Sequence, residues 1–251
     1  MRYLFLILSF LTFGTAMAQF TFNGKVGVNG MHVRVSKTKI PDYKYSNGLG
    51  WQIGANVEYQ TSSQLGFFLY MGAAFRHSAN DRDSSFAAVD TGNLYRYKPN
   101  FLCIPYGIGY KFPLKNPDLK LKVYVGLNPQ IGVGGKIKRY QVYYNDPNIN
   151  PNASKDLQKI LYDTKKLTFG DKAASKQFSY DYATANWGFQ TGIGLDLSKT
   201  AEIELMYTNS FTNGLPGKRR SDEIAKFSFL DLNFKIDFPN AALKKYIDKH
   251  R

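Results

Sequence analysis

The 251-residue chain carries 33 Lys and Arg against 19 Asp and Glu, a formal charge of +14, and 16% of its residues are aromatic. A single cysteine excludes an intrachain disulfide framework, and the three histidines form no cluster with metal-ligand spacing, so we expect neither a metal nor another cofactor. Basic proteins often bind nucleic acid, but the N-terminal segment favours export. Phosphate-bearing lipids or anionic surface polymers fit that compartment better, as do basic loops with no specific partner.

The N-terminus has the three parts of a secretory signal in order. Arg2 is a positive start, Leu4–Phe13 is an apolar run too short to span a bilayer, and Ala16–Ala18 is a small-residue cleavage site. We therefore predict a signal peptide over residues 1–18 and an exported mature protein.

After this signal the chain alternates between large apolar and small or polar residues, the period of a strand with two unlike faces. Eight such runs follow one another: Phe20–Val35, Leu49–Tyr59, Gly66–Arg76, Phe101–Phe112, Leu119–Val133, Ala185–Leu197, Ala201–Phe211 and Phe227–Phe238. In the first run the apolar parity shifts near Gly30, which predicts a bulge.

The run Phe101–Phe112 shows the pattern most clearly, because its bulky residues alternate with Pro105, Gly107 and Gly109. A strand that is apolar on one side and nearly empty on the other is typical of a small closed barrel with lipid outside. The residues predicted to face lipid are Leu102, Ile104, Tyr106, Ile108, Trp51, Ile53, Trp187 and Phe189.

The lengths of the connections alternate between long and short, with short turns at residues 61–64, 113–118 and 198–200. Outer-membrane barrels have short periplasmic turns, long external loops and an even number of strands. The sequence therefore predicts an all-β fold, an eight-stranded antiparallel transmembrane up-and-down β-barrel over residues 19–238, in the outer membrane of a Gram-negative bacterium.

Two connections and the C-terminus lie outside this pattern. Residues 77–93 are predicted as a polar loop, and residues 134–183 as a long loop whose flanks prolong the neighbouring strands. Within the long loop, Leu157, Ile160, Leu161, Thr164 and Leu167 recur at helical spacing after a Ser154 cap, which predicts a short amphipathic helix. Residues 239–251 form a basic periplasmic tail.

Several strand motifs resemble the PorT-like group of Bacteroidota outer-membrane β-barrel proteins. They are Leu102-x-Ile104-Pro105 with Gly109-Tyr110-Lys111-Phe112, Val123-Tyr124-Val125-Gly126, Trp187-Gly188-Phe189-x-x-Gly192-x-Gly194-Leu195, Ile203-Glu204-Leu205-x-Tyr207 and Lys25-x-Gly27-Val28-Asn29. The resemblance implies an eight-stranded barrel of the OmpA/OmpX type and, through the named member of the group, a link to type IX protein secretion. The chain departs from the pattern at its end, because residues 239–251 continue past the last strand.

Charged residues of both signs fall on the parity opposite the lipid-facing one. These lumen candidates are Arg34, Glu58, Arg76, Lys120, Lys122, Glu202, Glu204, Asp231 and Lys235. A barrel of eight strands is just wide enough to be filled by its own side chains, and unpaired buried charge is costly. We therefore expect a packed network of ion pairs in the lumen, and a conducting pore is the less favoured alternative.

The remaining basic residues cluster in predicted external loops. Lys218, Arg219 and Arg220 form one run, and a second group is made of Lys136, Lys138, Arg139, Lys165 and Lys166. We expect these residues to contact lipopolysaccharide phosphates or anionic surface glycans.

The favoured function is thus a non-enzymatic outer-membrane barrel that is structural or engages a protein partner through its loops or tail. One alternative is a lipid-modifying enzyme that uses Ser78 and His77 at the outer rim. Another is an exported soluble barrel that binds an apolar ligand, although the polar, glycine-rich inner face argues against such a pocket.

Overall fold

The computed structural model describes residues 19–36, 44–60, 66–84, 91–116, 119–143, 158–167, 169–170, 183–198, 200–214 and 224–238. The predicted signal peptide, the C-terminal tail and the run Lys218–Arg220 lie outside these ranges. Every regular element within them is a strand. No helix in this part of the chain is long and apolar enough to cross a membrane.

Eleven strands make one antiparallel sheet. They are β1 (Gln19–Ser36), β2 (Lys44–Gln60), β3 (Phe67–His77), β4 (Asn80–Ser84), β5 (Thr91–Cys103), β6 (Tyr106–Pro113), β7 (Lys120–Tyr143), β8 (Gln158–Lys166), β9 (Ala185–Asp196), β10 (Ala201–Ser210) and β11 (Ile224–Phe238).

The strand pairings run around a closed ring with eight wall positions. β3 and β4 occupy one position in succession, and β5 and β6 occupy the next, since both pairs lie between β2 and β7. The ring continues through β9, β10 and β11, and β11 pairs with β1 from Phe22↔Phe238 to Ser36↔Ile224. The eight-stranded antiparallel wall predicted from the alternating runs is confirmed.

The wall is interrupted at Ile104–Pro105, where a proline cannot donate to the ladder. The neighbouring strands keep this gap hydrogen-bonded: Gly72 N donates to Pro105 O at 2.8 Å, and Ile104 N donates to Pro129 O at 2.9 Å. The interruption therefore divides one predicted strand into β5 and β6, while the hydrogen-bonded wall continues across it.

The two faces of the wall differ in chemistry. Seven of the eight residues predicted to face lipid are exposed on the outside, and Ile104 is half-buried beside the interruption. At the inner end, Phe20 packs against Tyr59 with tilted rings and centroids 4.8 Å apart, and Phe67 packs edge-on against Tyr110 at 4.7 Å. Such an outward apolar band with an aromatic girdle suits lipid.

Glycines on the inward parity make room for large lumen side chains. A Cβ on Gly109 would collide with the ring of Phe68, and a Cβ on Gly194 would collide with the carboxylate of Glu202. The small residues on the inward face of the Phe101–Phe112 run thus leave space for lumen side chains of other strands.

The predicted helix is wrong over Gln158–Lys166, because these residues form β8. Ser154 and Leu157 of this prediction lie outside the described residues. Strand β8 pairs with the outer part of β7, from Lys136↔Lys166 to Tyr143↔Gln158, and the register shifts between Arg139 and Tyr140. The shift breaks the period-two alternation that marks a strand, so the remaining apolar spacing resembles a helix.

The predicted polar loop 77–93 is also partly wrong. β4 occupies Asn80–Ser84, and β5 begins at Thr91. The first flank of the predicted long loop 134–183 prolongs its neighbouring strand as expected, because β7 continues to Tyr143. We call the sheet formed by β4, the outer halves of β5 and β7, and β8 the external sheet.

The bulge predicted near Gly30 is absent, since β1 pairs with β2 and β11 in unbroken register on both sides of this residue. The inward parity therefore continues through Met31 and Val33, which are buried. Arg34 and Lys120 were predicted to face the lumen, but both are exposed. Along β1 the inward-facing residues change from polar to apolar. In the sequence alone this change looks like a shift of the apolar residues from one face of the strand to the other.

Candidate functional site: the lumen and the external sheet

The inner half of the lumen holds a network of buried charges. We call it the charge cluster: Glu58, Lys111, Lys122, Asp196, Glu202, Glu204 and Lys235. It draws on β2, β6, β7, β9, β10 and β11, so closing the ring is what brings these side chains together.

Each buried lysine of the charge cluster contacts several carboxylates. Lys122 Nζ lies 2.7 Å from Glu202 Oε2, 3.0 Å from Asp196 Oδ1 and 3.4 Å from Glu58 Oε2. Lys235 Nζ pairs with Glu204 and lies 3.2 Å from Glu202 Oε1. Because buried charges are tolerated only when paired, these contacts explain how the lumen accommodates them.

Tyr124 completes the cluster. Its hydroxyl donates to Glu202, and the ammonium of Lys235 donates to the same hydroxyl at 3.0 Å. Its ring packs edge-on against Phe68 at 5.4 Å and Tyr70 at 5.5 Å. Side chains from β3, β7, β10 and β11 therefore meet across the lumen at this depth.

A second ion pair lies nearer the outer end of the barrel. Arg76 pairs with Asp231, and both side chains are buried. The Arg76 guanidinium also stacks over the ring of Phe229 at 4.4 Å, and its Nε donates to Gln52 Oε1 at 3.3 Å. Through Gln52 and Asn233, hydrogen bonds connect this pair to Glu204 of the charge cluster.

An apolar layer covers the outer end of the lumen. It consists of Met31, Val33, Ala74, Phe101, Cys103, Leu167, Phe227 and Phe229, with Tyr97, Ile137 and Phe169 packed against it. The Phe101 ring lies 5.9 Å from Phe169 and 6.1 Å from Phe229.

Part of this layer comes from the segment after β8, which turns back into the barrel mouth. Leu167 is 1% exposed, and its backbone N donates to Gly135 O at 3.0 Å. Sequence reasoning placed Leu167 on a helix and missed its role. The sequence feature that could have indicated this role is the pair of apolar residues, Leu167 and Phe169, directly after two lysines.

Of the lumen residues named from the sequence, Glu58, Arg76, Glu202 and Glu204 are buried in this network. Lys111, near the end of β6, was not among the predicted lumen residues, yet its Nζ lies 3.0 Å from Glu58 Oε2. The apolar layer was not predicted either, because charge was expected along the whole lumen.

The candidate catalytic pair does not form. Ser78 is buried and donates from Oγ to Asn29 Oδ1 at 2.8 Å. His77 lies on the opposite parity, with Nδ1 2.7 Å from Asn100 Oδ1. The imidazole therefore does not point at the hydroxyl that it would have to deprotonate. Within the described ranges, no group of three His, Cys, Asp or Glu is arranged to hold a metal ion.

The external sheet has two faces of different charge. One continues the lumen: Ile137 and Tyr97 pack on the apolar layer, and Arg139 stacks over Tyr162 at 4.9 Å. On this same face Lys165 Nζ lies 3.5 Å from Asp163.

The other face continues the lipid-facing wall and carries the cations of the alternate parity. Lys98 of β5 is in register with Lys136 of β7, which is in register with Lys166 of β8. We call these three residues the lysine row. In the adjacent register position, Arg96 stands opposite Lys138.

Comparison with known proteins gives one family. The family model described as "Outer membrane protein beta-barrel domain" matches residues 15–215. A search of the curated proteins gives no match.

A search of the solved structures matches three bacterial proteins, among others. The outer membrane protein OprG from Pseudomonas aeruginosa has a TM-score of 0.46 and 13% identity, over 88% of this chain and 97% of that chain. Ail, the attachment invasion locus protein of Yersinia pestis, has a TM-score of 0.40 and 11% identity, over 88% and 99%. Neisserial surface protein A has a TM-score of 0.36 and 10% identity, over 86% and 97%.

Proposed function

Because the chain belongs to the outer membrane protein β-barrel domain family, we propose that it is a non-conducting, non-enzymatic barrel that supports the external sheet at the cell surface. Its location in the outer membrane is the premise of this proposal, and the predicted location is confirmed by the family. The working surface of the protein is then outside the lumen.

The observation that carries the proposal is the filling of the lumen at successive depths. The charge cluster occupies the inner half, the Arg76–Asp231 pair lies further out, and the apolar layer covers the mouth. Ions crossing this lumen would have to separate buried ion pairs, which costs several kcal/mol for each ion. An apolar layer at the mouth adds a second barrier, because hydrophobic constrictions exclude water.

Conductance in planar bilayers tests the closed lumen. We expect the refolded protein to produce no stepwise current above the empty bilayer, while a general porin inserted under the same conditions produces discrete steps. Reproducible steps from the wild-type protein that disappear when it is heat-denatured would contradict a closed lumen.

The second half of the proposal is a protein partner at the external sheet. The sheet extends well beyond the apolar wall, and among the described strands β8 pairs with β7 alone. An edge strand of this kind presents backbone donors and acceptors to another chain.

Cross-linking in intact cells, followed by affinity purification, should recover the partner with the full-length protein. A variant in which residues 138–163 are replaced by a short Gly-Asn turn should lose it. If both recover the same proteins, the external sheet is not the binding site.

We also propose membership of the PorT-like group, and with it a part in type IX secretion or surface assembly. The strand motifs quoted above support this assignment. A deletion strain should then release less of the proteins that this pathway exports, and a secretion subunit should co-purify with the barrel. Normal export, together with no such subunit, would remove this assignment and leave the closed barrel untouched.

A further inference from the structure

We propose that the lysine row, together with Arg34 and Lys226 on the other side of the barrel, binds the phosphate groups of outer-leaflet lipids. The lysine row occupies one face of the external sheet, whereas the protein partner proposed above would pair with its β8 edge. The proposal depends only on the barrel being in the outer membrane. The ligand chemistry is that of a bisphosphorylated lipid headgroup.

The first argument is the register of the lysine row. Lys98, Lys136 and Lys166 stand directly opposite one another on three adjacent strands. Like charges directly opposite each other destabilise a sheet, so such a row is favourable only when an anion lies against it. In the next register position Asp81 of β4 lies opposite Arg96, whereas no acidic residue lies in register within the lysine row.

The second argument is the face on which the row stands. On β5 the parity from Leu102 through Asn100 to Lys98 is unbroken, and Leu102 is exposed on the outside of the wall. On β7 the exposed Ile131 and Val133 precede Lys136 across the register shift. The lysine row is thus the outward continuation of the surface that contacts lipid chains.

The third argument is depth. Lys98 lies four residues beyond Leu102, about 14 Å along a strand at ~3.4 Å per residue, or roughly 10 Å in height for a strand tilted by ~40°. The headgroup regions of a bilayer lie just outside its hydrocarbon core of ~30 Å. A lysine side chain can also bend toward the headgroups while its stem covers apolar surface.

The same spacing of four residues between an exposed apolar residue and a cation recurs on the other side of the barrel. On β11, Lys226 lies four residues beyond the exposed Leu230, and it is in register with Arg34 of β1. Both side chains are exposed on the outward face. Two groups of cations on different parts of the circumference therefore lie at a similar height, as contacts with one leaflet require.

The sheet itself offers a matched control. Arg139 and Lys165 lie on the same two strands as Lys136 and Lys166 but on the face that continues the lumen, where Asp163 accompanies Lys165. K136Q/K166Q and R139Q/K165Q remove the same charge from β7 and β8, so a difference in lipid A binding between the folded variants reports the face and not the net charge.

The experiment titrates each purified protein, in zwitterionic detergent micelles, with bisphosphorylated lipid A and counts bound lipid by native mass spectrometry. Parallel titrations use lipid A without phosphates, inorganic phosphate and dextran sulfate as a soluble polyanion. Each surface lysine near an anionic leaflet strengthens membrane binding through its attraction to the headgroups. Because K136Q/K166Q removes two such lysines, it should weaken lipid A binding by about tenfold or more. R139Q/K165Q should change it less than about twofold. K136R/K166R, which keeps the charge and offers bidentate donors to phosphate, should bind at least as tightly as the wild type.

Three results would overturn the proposal. Equal weakening by the two double variants would mean that only net charge matters. Unchanged binding of lipid A without phosphates would exclude the phosphate as the ligand. Tight binding of dextran sulfate or inorganic phosphate that excludes lipid A would assign the cations to a soluble anion instead of the membrane.

Discussion

The charge cluster in the lumen and the lysine row on the external sheet place the same residue type in opposite situations. Lys122 and Lys235 each lie within 4 Å of three carboxylates, which come from three strands for Lys122 and from two for Lys235, whereas the lysines of the row face one another. In the lumen the low dielectric makes an unpaired charge very costly, so the fold must supply the partners itself. At the external sheet water solvates the lysines, so the partner can come from outside the chain.

The largest expected effect comes from removing a lysine of the charge cluster. K235M leaves Glu204 buried without its ion-pair partner and leaves Glu202 with Lys122 alone, which should lower the free energy of unfolding by about 3–5 kcal/mol. Urea unfolding in lipid vesicles, followed by Trp51 and Trp187 fluorescence, measures this. The matched K136M in the lysine row should stay within about 0.5 kcal/mol of wild type. Equal effects at the two positions would abolish the contrast between them.

Substitutions in the Arg76–Asp231 pair test whether this ion pair stabilises the fold or whether each buried charge only neutralises the other. R76M should cost about 3 kcal/mol, since it leaves Asp231 buried and removes the stacking on Phe229. The double variant R76M/D231L should recover most of that loss, because an apolar pair of similar size needs no partner. A double variant as unstable as R76M would mean that the pair itself stabilises the fold.

Packing of the lumen wall gives a smaller effect. G109A places a methyl group against the Phe68 ring and should cost about 1–3 kcal/mol. Gly30 has open space where a Cβ would go, so G30A serves as the control and should be neutral or slightly stabilising. F68L/G109A should restore part of the loss. If G109A and G30A behave alike, the inward glycines are not spacers for lumen side chains.

The smallest effect is expected at the lysine row in the absence of anionic lipid. K136Q/K166Q relieves two opposed positive charges and should change the unfolding free energy by no more than about 0.5 kcal/mol, in the stabilising direction. R139Q/K165Q should be slightly destabilising, because it removes the Lys165–Asp163 pair and the stacking of Arg139 on Tyr162. The same urea titration in uncharged detergent compares the two, and a clearly destabilised K136Q/K166Q would mean that the row has partners within the protein.

The sequence predicted the wall well because lipid and lumen impose opposite chemistry on alternate residues. Trp51, Ile53 and Ile108 are exposed on the outside, and Glu58 and Glu204 are buried inside. The pattern fails where that contrast ends. β8 has water on its exposed side and a register shift in its middle, so its alternation is lost. Arg34 was misplaced because the lumen becomes apolar at Met31 and Val33, and an apolar inward face looks like a lipid-facing one.

The pairing of β1 with β11 also determines when the protein can enter the membrane. Phe22 pairs with Phe238 and Ser36 with Ile224, so the ring closes through contacts between the two ends of the folded chain. Before β11 is synthesised, any partial wall has two open edges whose backbone groups cannot be satisfied in hydrocarbon. Insertion must therefore follow synthesis and export of the whole wall. Contacts this distant in sequence also form slowly, so the newly exported chain needs protection from aggregation in the periplasm until closure.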